Sequence, residues 1–271
     1  MFGKLNMIKE TTLNNIIEYL DEIDSTNDEA KRRVLKGNNE DFTLVASSQT
    51  AGKGRKGRSF YSPKDTGLYL TFTHFSEEGL EDNLKVTTAS SVIVRRAIKN
   101  VLNIDCGIKW VNDLYYNDRK ICGILCECML KDSFGTDRNA IITGIGINLS
   151  TECFPEEISS KAGSLIDRSK SEYSDGNDFI SIDVIRKKLA DEIVSGLKDF
   201  FLNRDLSAYM DEYLSASLVV GKEVELSDAK GVFAKGIVKG FTNEGELILK
   251  EKDDSIKIIN SGEISLVILN K

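Results

Sequence analysis

Residues 49–60 form a basic, glycine-rich segment with the sequence QTAGKGRKGRSF. Three glycines are interspersed with four cations in it: Gly52, Lys53, Gly54, Arg55, Lys56, Gly57 and Arg58. Because glycine adopts positive φ readily and lets the main chain approach a ligand closely, these glycines could direct backbone N–H groups at an anion that the cations surround. The segment therefore predicts an anion-binding loop, in a chain whose formal net charge is -7.

Two nucleotide-binding motifs are formally present in this loop. GKGRKG satisfies G-x-G-x-x-G, and GKGRKGRS differs from a P-loop by Arg58 at the lysine position. Both motifs require a helix directly after the loop, but the residues that follow include Pro63 and Gly67. We therefore reject both motifs. For the loop taken alone, a solvated basic turn, including one that contacts RNA, remains the alternative.

A second segment, residues 108–128, reads IKWVNDLYYNDRKICGILCEC. Asn117-Asp118 lies between two β-prone runs and predicts a two-residue hairpin turn between strands near 108–116 and 119–129. This turn sets a register that pairs Tyr116 with Arg119, Tyr115 with Lys120, and Asp113 with Cys122.

In that register Lys109, Asp113 and Lys120 share one face of the sheet. A carboxylate between two lysines can hold their ammonium groups, or it can bind a magnesium ion carried by nucleotide phosphates. The alternative is a surface charge ladder across a hairpin, with the strand cysteines in the core. The assignment depends on the register, because a slip of one residue would reverse every face.

Composition limits the classes of function. With 271 residues and 41% hydrophobic residues, the chain can form one sizeable core and a small second domain. Its acidity argues against DNA binding through a broad basic surface. No stretch has the length of a membrane span, and the first residues do not read as a signal peptide, which predicts a soluble, cytoplasmic protein. Five cysteines without a CxxC pair predict buried, reduced thiols.

The single histidine, His74, lies in the alternating run LYLTFTHF and is predicted to be a strand residue. One histidine excludes most histidine-rich metal sites and disfavours a Ser-His-Asp triad. Lysine, arginine and neutral polar groups must therefore carry the chemistry.

Hydrophobic periodicity places these segments on an α+β framework. Thr26 and Glu29 form a capping box that opens a helix ended by Gly37, with Ser25 as the competing N-cap. The periodicity also predicts strands at 42–48, 67–75 and 140–149, and helices at 82–103, from 182 onward and at 206–214. From 218 to 269, short β-rich runs between glycines predict a small barrel of about five strands. We therefore divide the chain into domains 1–216 and 217–271.

With these segments in view, the chain resembles the biotin protein ligases, also called biotin-[acetyl-CoA-carboxylase] ligases. The matching motifs are DSTND at 24–28, QTAGKGRKGR at 49–58, GLYLT at 67–71, KWVND at 109–113, DRKICGIL at 118–125, GIGIN at 144–148 and GEISL at 262–266. The resemblance implies a mixed-sheet catalytic domain, related to lipoate ligases, followed by an SH3-like barrel. It also implies condensation of biotin with ATP to biotinyl-5′-AMP and pyrophosphate, followed by transfer of biotin to one lysine of a carrier domain.

The resemblance also assigns roles to residues of this chain. Lys120 would be the catalytic lysine, and Arg55 would assist it. The implied biotin contacts are Ser25, Thr26, Asn27, Gln49, Lys53, Gly54, Arg55 and Lys120. The implied ATP contacts are Arg55, Arg58, Lys109, Asn112, Asp113, Lys120 and Asn148. Asp113 would act through nucleotide-bound Mg²⁺. Helix capping by Ser25 or Thr26 and a turn role for Asn148 are the structural alternatives.

The chain departs from the family pattern in three places. Lys53 stands where the family usually has arginine, and Val111 stands where KWPND has proline. Only about two dozen residues precede Ser25, too few for the winged helix-turn-helix of bifunctional relatives. We therefore expect the short form without repressor activity or DNA binding. The expected partner is a biotin carboxyl carrier protein or domain, without membrane attachment, and the enzyme would be a monomer or a homodimer.

Two other classes of function remain. A lipoate or octanoate ligase would use the same adenylation chemistry on an acyl chain, but the polar DSTND and Gln49 set favours biotin. A non-catalytic protein, either a nucleic-acid module or a sensor that retains biotinyl-AMP, is the alternative from outside the enzymes.

Overall fold

The main sheet has seven strands. A computed structural model describes residues 17–77, 83–167, 174–175, 178–179, 181–228, 230–260 and 265–268. The strands are β1 (Ile17–Ile23), β2 (Phe42–Gln49), β3 (Gly67–Ser76), β4 (Gly107–Lys109), β5 (Asp113–Tyr116), β6 (Arg119–Met129) and β7 (Asn139–Asn148). They lie in the order β1-β2-β3-β7-β6-β5-β4. β1 pairs with β2 in parallel and the other neighbours are antiparallel, which confirms the predicted mixed sheet.

Helices cover both faces of this sheet. They are α1 (Thr26–Leu35), α2 (Asn83–Leu102), α3 (Glu156–Ser159), α4 (Ile182–Asn203) and α5 (Ser207–Ser215). Side chains alternate along β7, because successive strand residues point to opposite faces. Ile141 and Ile145 belong to the large core with α2 and α4, whereas Ile142 packs with Ala30 of α1. The even-numbered residues of β7 therefore face α1.

The start of α1 differs from the predicted capping box. Ser25 is the N-cap, and its side-chain oxygen accepts a hydrogen bond from the backbone N–H of Asp28 at 3.5 Å. Thr26 is already helical, and Glu29 binds Arg32 and Arg33 instead of the cap. The capping-box prediction was therefore wrong in its first residue, and the competing N-cap is the one used.

The hairpin between β5 and β6 confirms the predicted turn but not the whole register. Asn117 and Asp118 have φ of 49° and 59°, as a two-residue hairpin turn requires. The pairs Tyr116 with Arg119 and Tyr115 with Lys120 are as predicted. An irregularity between Leu114 and Tyr115 then shifts the ladder, so Asp113 pairs with Gly123 and not with Cys122.

The predicted strand 108–116 is in fact two strands. β4 and β5 are antiparallel, and the chain reverses at residues 110–112. The Trp110–Val111 peptide bond within this reversal is cis. Lys109 pairs directly with Asp113 across the two strands. Lys109 and Asp113 are therefore neighbours, as predicted. The prediction placed them on one face of a single strand, whereas they pair across two antiparallel strands.

The C-terminal part forms a separate antiparallel sheet of five strands. They are β10 (Glu223–Asp228), β11 (Gly231–Phe241), β12 (Leu247–Lys250), β13 (Ile256–Ile259) and β14 (Ser265–Ile268), in the order β13-β12-β11-β10-β14. Five strands agree with the expected small domain. No ladder joins β13 to β14 within the described residues, so closure into an SH3-like barrel stays a prediction. A two-stranded pair, β8 (Ser174–Asp175) and β9 (Asp178–Phe179), precedes α4.

The small sheet packs on the main one through the KWVND segment. The indole N–H of Trp110 donates to the carbonyl of Gly245, in the turn between β11 and β12, at 3.0 Å. Ile108 of β4 exchanges backbone hydrogen bonds with Ala216 and Leu218, which link α5 to β10. The two parts share one hydrophobic core, so packing alone does not separate them. The domain boundary at residue 216 therefore remains our proposal.

The remaining composition-based predictions have mixed outcomes. His74 is a strand residue whose Nδ1 lies 2.6 Å from Asp41 Oδ2, as predicted for a structural histidine. All five cysteines are free: Cys106 and Cys122 are buried, Cys126 and Cys128 are half-buried, and Cys153 is exposed. The buried-thiol prediction was therefore wrong for Cys153. None of the helices in the described ranges is long and apolar enough to span a bilayer.

Candidate active site

The glycine-cation loop, residues 49–60, folds back on itself after β2. Lys53 and Ser59 form an antiparallel bridge, and the N–H of Phe60 donates to the carbonyl of Gly52 at 2.8 Å. A short 3-10 turn, Arg55–Gly57, lies at the tip. No helix begins after the loop, since extended residues and then a turn at 64–65 lead into β3. This geometry agrees with the rejection of both nucleotide-binding motifs.

Glycine is required at two of the three loop positions, and for a different structural reason at each. Only Gly57 among them has positive φ, at 72°, and the neighbouring Lys56 has φ of 59°. Gly54 is extended, with φ of -122°. At Gly52 a side chain would collide with the Phe60 carbonyl and with Ser62 Oγ. The expected positive φ is therefore correct for one glycine, and close packing explains another.

The start of α1 and the end of β2 form a buried polar cluster. Gln49 Oε1 accepts from the backbone N–H of Thr26 at 2.9 Å and lies 3.0 Å from Thr26 Oγ1. Gln49 Nε2 donates to Ser62 Oγ at 2.9 Å. The amide of Asn27 donates to the carbonyl of Leu125 and to Glu127. Ser25, Thr26, Asn27 and Gln49, predicted from the DSTND and QTAGKG motifs, are thus brought together.

Next to this cluster, glycines of β6 and β7 form a part of the sheet surface that has no side chains. Gly144 lies under Asn27, and Gly146 lies under the ring of Phe60. Gly123, paired with Gly146 on β6, lies beneath both Phe60 and Lys120. Because alternate residues of a strand share a face, the alternation in GIGIN clears a strip of the α1 face for close approach.

Lys120 lies at the far end of this glycine strip. Its Nζ is 2.6 Å from Asp113 Oδ1, and the side chains of Lys120 and Asp113 are 33% and 24% exposed. The Lys120 backbone is fixed by the segment after α3, since its N–H donates to Lys161 and its carbonyl accepts from Gly163. The cation is therefore held on a strand whose backbone is tied on this side to residues 161–163, beside the glycine strip.

Lys109 adds a second, more buried ammonium group. Burial is the main cause that lowers the pKa of Lys109, and the charge of Asp113 opposes this shift. Three nearby cations add to the lowering: Lys120, Lys161 and Arg58. Nζ of Lys109 also lies 5.7 Å from the ring centroid of Tyr115. The positive charges of this cluster repel one another, and this repulsion disfavours the protonated form of Lys109. A bound anion would relieve the repulsion, so the cluster is suited to bind one.

Two asparagines border the cations. Asn112 Oδ1 accepts from Arg55 Nη1 at 3.3 Å, and its Nδ2 donates to the Ile124 carbonyl at 2.9 Å. Asn148 Nδ2 donates to the Gly163 carbonyl at 3.0 Å, while its buried Oδ1 has no hydrogen-bond partner within the described residues. Asn112 thus connects the loop to the reversal at 110–112, and Asn148 retains an acceptor.

Lys53 is the predicted site residue that points elsewhere. Its Nζ donates to Asp28 Oδ1 of α1 at 2.6 Å, and this hydrogen bond raises the pKa of Lys53. The side chain is 43% exposed. Lys53 therefore ties the loop to α1 and contacts a carboxylate of the protein itself.

Sequence reasoning missed three side chains of the site. Phe60 covers the glycine strip, Thr71 of β3 contacts both Thr26 and Asn27, and Glu127 of β6 holds Asn27. The glycine pattern of Gly144 and Gly146 was the available signal, since it indicates that large groups approach the strand. Thr71 and Glu127 carried no signal, because their contacts depend on the order of the strands.

Two family models match the chain. The model of the biotin/lipoate A/B protein ligase family matches residues 19–148, and that of the biotin protein ligase C-terminal domain matches residues 219–267. The second match corresponds to the five-stranded sheet. Together they cover about two thirds of the chain.

Relatives and solved structures agree with these matches. The bifunctional ligase/repressor BirA of Salmonella typhimurium is 29% identical over 254 residues, covering 92% of this chain and 74% of the relative. The biotin-[acetyl-CoA-carboxylase] ligase of Mycobacterium tuberculosis is 23% identical, covering 89% and 85%. The structure of biotin protein ligase from Aquifex aeolicus in complex with biotin and ATP aligns with a TM-score of 0.74 at 29% identity, over 94% of this chain and 99% of that one. With both domains matched and the fold shared, the chain belongs to the biotin protein ligase family and is an enzyme of biotin ligation.

Proposed function

We propose that this enzyme activates biotin with ATP as biotinyl-5′-AMP, releasing pyrophosphate, and then transfers biotin to one lysine of a biotin carboxyl carrier domain. One observation supports the proposal above the others. A buried neutral polar cluster around Thr26 and Gln49 and a cation cluster around Lys120 lie on the same face of one sheet, joined by a strip of glycines. A polar ring with an acidic tail fits this arrangement.

The cations would offset the electrostatic repulsion that opposes the first half-reaction. A carboxylate that attacks the α-phosphate of ATP brings two anions together, and at 4 Å like charges repel by about 4 kcal/mol at an effective dielectric near 20. Lys120 would bridge the carboxylate and the α-phosphate and stabilise the charge of the transition state. Arg55, Arg58 and Lys109 would neutralise the remaining phosphates and the pyrophosphate. No protein nucleophile is required, because positioning and charge stabilisation carry the step.

The neutral cluster would bind the ureido ring of biotin. Buried polar groups of a ligand cost free energy unless each has a hydrogen-bond partner. Ser25, Thr26 and Gln49 would supply these partners, with Asn27 behind them. Gly54 and Arg55, joined by Lys53 when it exchanges Asp28 for the ligand, would cover the activated carboxyl group and exclude water from a mixed anhydride that hydrolyses readily.

Asp113 fits a magnesium ion carried by ATP. Its Oδ1 is buried, and the contact that it makes is the ion pair with Lys120 Nζ at 2.6 Å. Within the described residues, no group of three or more His, Cys, Asp or Glu side chains could hold a metal by itself. Asp113 would therefore supply one carboxylate oxygen and the nucleotide the other ligands, as Mg²⁺ prefers. Bound there, the ion would neutralise phosphate charge, and Asn112 and Asn148 would orient the nucleotide.

The proposal covers ligation by a cytoplasmic enzyme, as a monomer or a homodimer, with a biotin-dependent carboxylase as the source of the carrier. The repressor activity in the names of the bifunctional relatives is not part of it. Lipoate or octanoate as the natural acid is the competing possibility.

Mass spectrometry tests the proposal directly. The purified protein is incubated with magnesium-ATP and either biotin or lipoate, with and without a carrier domain. We expect biotinyl-AMP and a biotin-sized addition to one carrier lysine. Lipoyl-AMP alone would assign the chain to lipoate ligation, and no adenylate with either acid would refute the proposed activity.

A further inference from the structure

Glu127 joins β6 to α1 beside the neutral polar cluster. Its Oε2 accepts from Asn27 Nδ2 at 2.9 Å, and its Oε1 accepts from Lys31 Nζ at 2.6 Å. The side chains of Glu127 and Lys31 are each 27% exposed, so this ion pair lies at the edge of the buried region. None of the roles proposed above uses Glu127.

The carboxylate fixes the orientation of the Asn27 amide. An ionised carboxylate accepts hydrogen bonds and donates none, so the NH₂ group of Asn27 must face Glu127. That group also donates to the carbonyl of Leu125 at 3.4 Å. The Asn27 Oδ1 therefore faces Thr71, whose Oγ1 lies 2.7 Å away. The amide lies directly against Gly144, where an added Cβ would come within 3 Å of its atoms.

This orientation leaves the cluster one proton short. Three oxygen–oxygen contacts form a row: Asn27 Oδ1 to Thr71 Oγ1 at 2.7 Å, Thr71 Oγ1 to Thr26 Oγ1 at 2.8 Å, and Thr26 Oγ1 to Gln49 Oε1 at 3.0 Å. Only two hydroxyl protons are available for them, since each threonine supplies one. Every assignment therefore leaves one contact without a proton, and a buried acceptor remains for an outside donor.

A flipped Asn27 amide would remove this deficit. Its NH₂ group would then donate to Thr71, Thr71 to Thr26, and Thr26 to Gln49, so that each contact would hold one proton. The cluster would satisfy itself and would no longer favour a ligand that brings an N–H group. Glu127 opposes this flip, because the Asn27 oxygen would then face a carboxylate.

We propose that Glu127 is a positioning residue that makes the pocket selective for acids carrying N–H donors, by holding the Asn27 amide with its oxygen toward Thr71. The proposal rests on the function proposed above and names the device that separates a ureido acid from a plain acyl chain. Glu127 touches neither acid and acts through Asn27. A change at Glu127 should therefore alter the selectivity between acids and leave ATP binding unchanged.

The test compares biotin with octanoate, an acid without N–H groups, in adenylate formation by the full chain. In Glu127→Gln, the neutral amide permits the flip. We expect kcat/KM for biotin to fall about tenfold, the effect of one buried hydrogen bond, while the values for octanoate and the KM for ATP stay unchanged. Glu225→Gln, which removes a comparable Glu–Lys pair on β10, is the control and should change none of them.

A second variant and a double variant keep the test decisive. Thr71→Val removes the hydroxyl with little change in the shape of the side chain and leaves Asn27 Oδ1 without its donor, so an acceptor for an outside N–H group remains and the preference for biotin should persist. The pair Asn27→Ala and Glu127→Gln should be no worse together than Asn27→Ala alone, since Glu127 acts through Asn27. Equal losses for biotin and octanoate in Glu127→Gln, an unchanged preference in that variant, or a lost preference in Thr71→Val would overturn the inference. A wild-type enzyme that forms no biotinyl-AMP would instead refute the proposed function on which it rests.

Discussion

Replacing Gly52 by alanine tests whether stability and biotin binding depend on the observed conformation of the loop. The new Cβ would lie 2.7 Å from Ser62 Oγ and 3.0 Å from Gln49 Nε2, and closer still to the Phe60 carbonyl, where ordinary contacts measure 3.4–4 Å. The Phe60 carbonyl cannot turn away freely, because the N–H of the same residue donates to Gly52 at 2.8 Å. The two arms of the loop must therefore separate by about 1 Å.

The expected loss of stability follows from three contributions. Overpacking costs about 1–3 kcal/mol, and the weakened hydrogen bond between Phe60 and Gly52 costs about 1 kcal/mol. Alanine restricts the unfolded chain and returns about 0.4–1 kcal/mol. The net loss is about 2 kcal/mol, which lowers Tm by about 4–8 °C for a chain of this size. Because Gln49 and Ser62 move with the loop, the KM for biotin should also rise.

Gly54→Ala is the matched comparison two residues away. Gly54 is already extended, and the nearest atom to its new Cβ would lie at 3.4 Å, so stability should change by less than about 0.5 kcal/mol. We expect it instead to increase the release of biotinyl-AMP, since a stiffer loop closes less well over the adenylate. Thermal unfolding and a quench-flow assay of released adenylate measure both effects. If Gly54→Ala destabilised the protein and Gly52→Ala did not, the argument from loop packing would be refuted.

Three further predictions concern the cations and the contact between the two sheets. Lys120→Gln should slow adenylate formation by about 10²–10³-fold, measured as pyrophosphate release, because it removes a charge that the transition state needs. Since the pKa of Lys109 is lowered, this residue loses its proton at a lower pH than an ordinary lysine, so the KM for ATP should rise at alkaline pH. Lys109→Arg should move that rise to higher pH, and an unchanged pH profile would contradict the assignment. Trp110→Phe leaves the Gly245 carbonyl unpaired and should cost about 1–3 kcal/mol in thermal unfolding; an unchanged Tm would show that this contact carries no stability.

Local patterns were sufficient for most of the helices and strands. The alternation and flanking glycines of 67–75 predicted β3, and the helical spacing from Ile182 predicted α4, because both signals follow from the geometry of a single element. The turn at Asn117 and Asp118 was also visible, since both residues tolerate positive φ. The edge strand β1 was missed, because its seven residues carry no regular alternation of burial.

The reversal at 110–112 shows where local patterns fail. The segment from Trp110 to Asn112 contains neither glycine nor proline, and its one turn-prone residue, Asn112, stands beside the β-prone Trp110 and Val111, so the pattern favoured a strand. Asp113 was nevertheless placed correctly beside Lys109 and Lys120. Different contacts give the same neighbours: Lys109 pairs with Asp113 across β4 and β5, and the Lys120 side chain reaches Asp113 from β6.

The predicted ligand contacts of the site are engaged with protein groups, and this determines how a ligand binds. Lys120 pairs with Asp113 at 2.6 Å, Lys53 pairs with Asp28 at 2.6 Å, and these partly exposed pairs each contribute about 0–1 kcal/mol. A ligand phosphate enclosed from water forms stronger, charge-assisted hydrogen bonds to the same ammonium groups. Binding is therefore an exchange of partners, in which each carboxylate holds a lysine in place at small cost and competes weakly with the ligand.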